Sequence, residues 1–162
     1  MTTDTPESPE STERTASVYI TNNMGGNASI LLWHNNSSNG TQRGSWVAAP
    51  GQTVGPLTVY FKTGFGTGGI LDYWSVQLNV LDGPNAGQYI NSGTALDPYW
   101  KECQLQHKDS GQNITLTVSP SLFSVNLPSG GCPNPMTRIA PPAPITHVFV
   151  VMLENHSFDH LF

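Results

Sequence analysis

The stretch Tyr73–Leu81, YWSVQLNVL, constrains the chain more than any other. Trp74, Val76, Leu78 and Val80 fall on one side of an extended backbone, and Tyr73, Ser75, Gln77 and Asn79 on the other. Ile114, Leu116 and Val118 repeat the pattern against Thr115 and Thr117. A period of two is the signature of a half-buried strand, and no segment of helical length carries an apolar period of 3.6. Strands are expected at SVYITN, ASILLWH, LTVYF, YWSVQLNVL, YWKECQLQH, NITLTVS and SLFSVNL, all rich in residues that suit a pleated surface. Between them lie turn-forming runs such as NNMGGN, NNSSNG, AAPGQ, LDGPNAG and KDSGQ. Seven to eight short strands over residues 17–127 predict an all-β fold, an antiparallel two-layer β-sandwich, with an open barrel as the second choice.

On either side of this region the composition changes. Residues 1–16, rich in Pro, Ser, Thr and Glu, cannot bury enough apolar surface to offset chain entropy and are expected to be disordered. No signal peptide is visible there, and no stretch reaches transmembrane length. Residues 128–144, PSGGCPNPMTRIAPPAP, read as a Pro/Gly-rich linker, because proline cannot donate to a ladder. Residues 145–162 then stand as a separate unit.

Only six of the 162 residues are Lys or Arg and the formal charge is −5, which offers no electrostatic footprint for nucleic acid or an anionic membrane. The state of Cys103 and Cys132, two thiols or one disulfide, stays open on spacing alone. Six Asn-x-Ser/Thr sequons, among them those at Asn27, Asn35, Asn36, Asn39 and Asn113, matter only on a secretory route. They lean toward export, while the missing signal leans toward the cytoplasm, so localisation is unknown. The oligomeric state is equally open.

Four features could carry chemistry. GFGTGG at residues 64–69 fits the dinucleotide fingerprint by letter, but the strand pattern that follows is the wrong context for a phosphate site at a helix N-terminus. Trp33, His34, Trp46, Phe65, Tyr99 and Trp100 could form a platform of aromatics and amides for sugar rings or lipid headgroups, or could simply be core. His156 and His160 have the i, i+4 spacing of a zinc pair but lack a third ligand nearby. Last, VFVVML reads as a strand buried on both faces, and Glu154 and Asn155 at its end are hard oxygen ligands where α/β folds place their sites.

The run ITHVFVVMLENHSFDHLF resembles the opening of the catalytic domain of the bacterial and fungal phosphoesterase family, which includes phospholipases C and acid phosphatases. The resemblance implies a truncated α/β domain akin to the alkaline-phosphatase superfamily that hydrolyses phosphoric esters. It implies Glu154 and Asn155 as ligands of a divalent metal of unknown identity, and Asp159 and His160 as supporting residues. The nucleophile and the remaining ligands would lie downstream of the chain, so no catalytic residue is assigned and this chain alone is expected to be inactive and to bind no metal. Two other readings stand beside it. One is a stand-alone β-sandwich that binds lipid headgroups or glycans, and the other is a toxin-like or self-associating β protein.

Overall fold

The computed structural model describes residues 12–64, 66, 70–92 and 99–140. Ten strands account for most of them: β1 Thr12–Asn22, β2 Ala28–Asn36, β3 Gly40–Ala48, β4 Thr53–Thr63, β5 Asp72–Val80, β6 Gly87–Asn91, β7 Lys101–Glu102, β8 Asn113–Val118, β9 Leu122–Leu127 and β10 Gly130–Ile139. The nearest thing to a helix among the described residues is one 3₁₀ turn, His107–Asp109. No helix there is long and apolar enough to cross a membrane. The expectation of an all-β fold holds.

The strands form one continuous path, β3-β2-β5-β6-β10-β9-β8-β1-β4, with β7 added to β5 beside β6. Its two end strands, β3 and β4, come alongside one another, so the sheet curls into a nearly closed, barrel-like wall. Pairing is antiparallel with one exception that was not expected: β1 and β8 run parallel, Val18 opposite Ile114 and Ile20 opposite Leu116. Parallel neighbours need a long crossover, and here everything from β2 to β7 lies between them.

β10 holds the path together. Gly130–Pro135 pairs with β9, and Met136–Ile139 pairs with β6. Residues 128–144 are therefore not a linker throughout, since Gly130–Ile139 is a strand in the middle of the sheet. The prolines that argued against it are accommodated by position. The Pro135 carbonyl accepts from the Ser92 N–H on the side away from β9, which is also the side to which the nitrogens of Pro133 and Pro135 point. The β6 ladder begins only at Met136, so no donor is missed there.

Three further expectations need correction. Residues 12–16 are not disordered: they open β1, pairing Thr12–Ala16 with β4, and Ala16 is buried. A polar strand end gains its order from a partner distant in sequence, which composition does not reveal. β3 and β6 were not anticipated, because β3 borders one end of the path with mostly exposed residues and β6 is five residues long. YWKECQLQH contributes only Lys101–Glu102 to the sheet. Residues 145–162, assigned to a truncated α/β domain, lie outside the described residues.

The core lies inside the wall. Val18 and Ile20, Ile30 and Leu32, Val59 and Phe61, Trp74 and Val76, Ile114 and Leu116, and Phe123 and Val125 all point into it. The alternation read in β5 and β8 holds residue by residue, apart from Ser75, which is buried although it faces outward. At 25 cal/mol per Å², each of the larger side chains gives up roughly 1.5–3 kcal/mol of solvent cost on burial. Trp46 of β3 also turns inward, and its ring lies over Gly44. A methyl group there would stand 1.9 Å from Trp46 Cη2, so the bare glycine makes room for the indole. A disulfide joins Cys103, just after β7, to Cys132 in β10, with the Cα atoms 6.0 Å apart. This closes the question that spacing left open.

Candidate functional site

The inward alternation of β2 does not stop at its apolar residues. Beyond Ala28, Ile30 and Leu32 it continues to His34 and Asn36, and β5 contributes Asp72 to the same end of the wall. All three are 0% exposed. His34 Nε2 lies 3.0 Å from Asp72 Oδ1, and Asn36 Nδ2 donates to the same oxygen at 2.8 Å. Asp72 Oδ2 accepts the Leu105 N–H at 2.9 Å. The other ring nitrogen, Nδ1, faces Gln42 Oε1 at 2.7 Å, while Gln42 Nε2 donates to the Asn39 and Gly40 carbonyls. Trp74 packs on the imidazole, ring centroids 4.6 Å apart, and its Nε1 donates to the Cys103 carbonyl.

This is the only His–carboxylate pair among the described residues. Both carboxylate oxygens and both ring nitrogens are engaged, and solvent reaches none of them. Buried polar groups matched in this way fasten their elements together: here β2, β3, β5 and the segment carrying Cys103 and Leu105. The cluster is a clasp with no face for a ligand.

Next to it a cavity of about 430 Å³ opens between the end of β4 and the residues after β7, with Lys62, Glu102 and Gln104 on its walls. Gln104 Nε2 donates to the Ile70 carbonyl, and its Oε1 is buried without a partner among the described residues. In the sequence GFGTGG stands between β4 and β5, so a strand follows it and not a helix. The context a phosphate fingerprint needs is missing, as the sequence indicated.

The outward side of β3-β2-β5-β6-β10 has a different chemistry. Register places Val47, Ser29, Asn79, Gln88 and Ile139 in one row across five strands. The next row is Ser45, Leu31, Gln77, Ile90 and Thr137. None of these ten side chains is charged. Val47 is 66% exposed, Ile139 44% and Leu31 37%, and each has amides or hydroxyls as neighbours. A shallow groove of about 170 Å³ runs along the rows past Ser29, Leu31, Gln77, Asn79, Gln88 and Ile139. One step along β2 the face continues to Trp33, opposite Ser75 and Arg43, and then to Asn35, opposite Tyr73. Trp33 and Tyr73 are half-buried and diagonal to one another.

The expected aromatic platform therefore divides. Trp33 faces outward next to this surface, Tyr99 is exposed and Trp100 half-buried near β7, while His34 and Trp46 belong to the interior. Phe65 lies outside the described residues, as do Glu154, Asn155, His156, Asp159 and His160. Among the described residues no three His, Cys, Asp or Glu side chains are grouped to hold a metal ion. Sequence reasoning missed the amide row. Its only signal was the outward register of Gln77 and Asn79, and nothing local showed that Ser29, Gln88 and Ile139 would stand beside them.

Comparison with known families bears on residues 12–93, the span from β1 to just past β6. That span matches the family described as "Up-Regulated in long-lived daf-2" (PUD1_2), and it makes up just over half of the chain. The chain belongs to this family. It is not a phosphoesterase family, so the resemblance seen in residues 145–162 does not identify the chain, and the descriptions hydrolase, phosphoesterase and phospholipase C-like are withdrawn with it. A search of curated proteins finds no match. The matched span carries β3, β2, β5 and β6, four of the five strands of the uncharged face, and β10 supplies the fifth.

Proposed function

We propose that this member of the family is a non-catalytic binding module, and that its ligand, a lipid headgroup or a glycan, lies on the outward side of β3-β2-β5-β6-β10. In this reading the two halves of the wall act as the layers of a sandwich, one carrying the ligand and the other backing the core. The observation that carries the proposal is the pair of five-residue rows without a charge, in which long amides stand beside exposed aliphatic side chains. Strand formation does not call for such a face, because asparagine is depleted in strands and a long amide loses rotamer entropy when it is ordered. Directional donors and acceptors beside apolar surface are what recognition of a polar organic ligand uses.

The test is Gln77→Arg, which sets a bulky cation at the centre of the second row, with folding checked by circular dichroism. Retention of wild type and variant is compared on a panel of immobilised polysaccharides and lipid vesicles. Wild-type protein retained by at least one member of the panel, with retention lost in the variant, is the expected result. Equal retention of both proteins, or no retention of either, would place the function elsewhere.

A further inference from the structure

Resting on that reading, we infer that the ligand is an uncharged glycan chain lying across the strands, with Gln77, Asn79 and Gln88 bonding its hydroxyls and Trp33 stacking on a ring. Three features of the face select this class.

The first is charge. A phosphate-bearing headgroup seeks Arg or Lys, whose donors match its oxygens and its charge. Neither row offers one. Arg43 stands beyond them opposite Trp33, and Arg138 is turned to the Ala86 carbonyl and the Tyr89 ring on the other side of its strand. Uronic acids and sulfated chains meet no counter-charge within the rows, and at the Trp33 and Tyr73 end the cross-strand neighbours Arg43 and Glu102 carry one charge of each sign.

The second is the pairing of functional groups. A neutral sugar presents hydroxyls around its rim and C–H groups on its faces. Each carboxamide both donates and accepts, so one side chain can bridge neighbouring hydroxyls. Leu31, Ile90, Val47 and Ile139 lie among the amides and suit C–H faces. Trp33 and Tyr73, diagonal at the end of the rows, supply ring faces to stack on.

The third is shape. Five adjacent strands span about 19 Å at the usual inter-strand spacing, and a shallow groove lies along four of them, β2, β5, β6 and β10. An extended oligosaccharide can lie along such a strip, and a compact headgroup would fill only a part of it.

The experiment uses the full chain and titrates it with four neutral probes, cellohexaose, laminarihexaose, mannohexaose and hexa-N-acetylchitohexaose. Polygalacturonate serves as the acidic probe and phosphatidylcholine vesicles as the lipid probe. Binding is read by calorimetry and by tryptophan fluorescence. The expected result is saturable binding of at least one neutral hexasaccharide, unchanged between low and high salt because no charge pair is there to be screened. Trp33→Ala should weaken it about tenfold through lost stacking. Gln77→Ala and Asn79→Ala should each weaken it several-fold, and Trp33→Phe should recover part of the loss, which separates stacking from a folding defect.

Binding of none of the four neutral probes overturns the inference. If vesicles bind instead and Gln77→Arg releases them, the face is a binding site and only the ligand class is wrong. Steeply salt-dependent binding of polygalacturonate rejects the uncharged ligand. A neutral glycan that binds wild type, Trp33→Ala and Gln77→Arg equally places the sugar elsewhere and overturns the face itself.

Discussion

On the β9-β8-β1-β4 half of the wall hydroxyls dominate the outward side, with Ser17 and Thr21 of β1, Thr115 and Thr117 of β8, Ser124 of β9 and Thr58 of β4 in register, and Asn113, Asn126, Tyr60, Leu122 and the facing pair Glu13 and Lys62 around them. On the other half the corresponding positions hold Asn79, Gln88, Gln77, Leu31, Val47 and Ile139. Both halves cover one core; the first places Glu13 opposite Lys62 at its edge, and the two rows of the second carry no charge. Threonine is β-branched, suits the pleated backbone and has a short hydroxyl that water satisfies, so the first surface is what a stable hydrated sheet requires. On the second surface Val47, Ile90 and Ile139 suit a strand in the same way, but strand formation does not call for the long amides set among them. The difference separates a surface explained by folding from one that is not.

Four measurements test this contrast, and the largest effect on stability comes from inside the wall. Trp74→Ala removes a fully buried indole with its hydrogen bond to Cys103, and should cost about 3–5 kcal/mol in denaturant unfolding. Trp33→Ala, on the outer side of the same sheet, should cost far less while losing ligand. If the two cost the same, Trp33 is core and the amide face ends at Leu31.

The disulfide ties the segment after β7, on the amide half, to the part of β10 that pairs with β9. Replacing both Cys103 and Cys132 with Ser should lower stability by about 2–4 kcal/mol. Amide hydrogen exchange should rise first near Cys103 and in β10, with β1 and β8 still protected. A uniform rise would show that the halves do not differ in how they are held.

Arginine placed at Gln77 and at Thr115 compares the faces directly. Both sites are exposed, so each substitution should change stability by no more than about 0.5 kcal/mol. Only the change at Gln77 should abolish binding. Loss of binding in both variants would remove the distinction between the faces.

The smallest effect concerns the rim. The Asn27 side-chain amide, followed by the Asn27 backbone N–H, donates to the Asp82 carboxylate and holds it below its ordinary 3.8, against a weaker opposing effect of burial. A carboxylate whose folded value is depressed stabilises the fold above its unfolded value, and that contribution is lost as pH falls through the depressed one. The contact between the loops around Asn27 and Asp82 should therefore persist at neutral pH and loosen only below about pH 4. Carbon-detected NMR of the Asp82 carboxyl should show a midpoint under 3.8 that rises toward it in Asn27→Ala. A midpoint at or above that value in wild type would show that the bonds do not hold in solution.

Legibility followed the range of the interactions. β5 and β8 could be read directly because their burial pattern is local: every second residue is apolar. β10 was misread because Pro133 and Pro135 forbid a strand with partners on both sides, and only the assembled sheet shows that this stretch has its ladder on one side. Thr12–Ala16 looked too polar to order, and β4 supplied the partner. The tail motif around Glu154 and Asn155 pointed to one family, and the match across residues 12–93 placed the chain in another. Eighteen residues resemble many things, whereas a pattern spread over six strands has far fewer chance matches.

Composition and local pattern are enough to establish a β protein, the inward side chains of β5 and β8, and a surface poor in charge. Those properties arise between residues two apart on one strand, where the backbone's own geometry decides. It takes the assembled sheet to place β10 in both halves of the wall, to bring Cys103 to Cys132, to gather His34, Asn36 and the Leu105 N–H on Asp72, and to set amides from β5 and β6 beside the aliphatics of β2, β3 and β10. Each of these depends on the register between segments distant in the chain, and a slip of one residue in any ladder would turn the whole row to the other side.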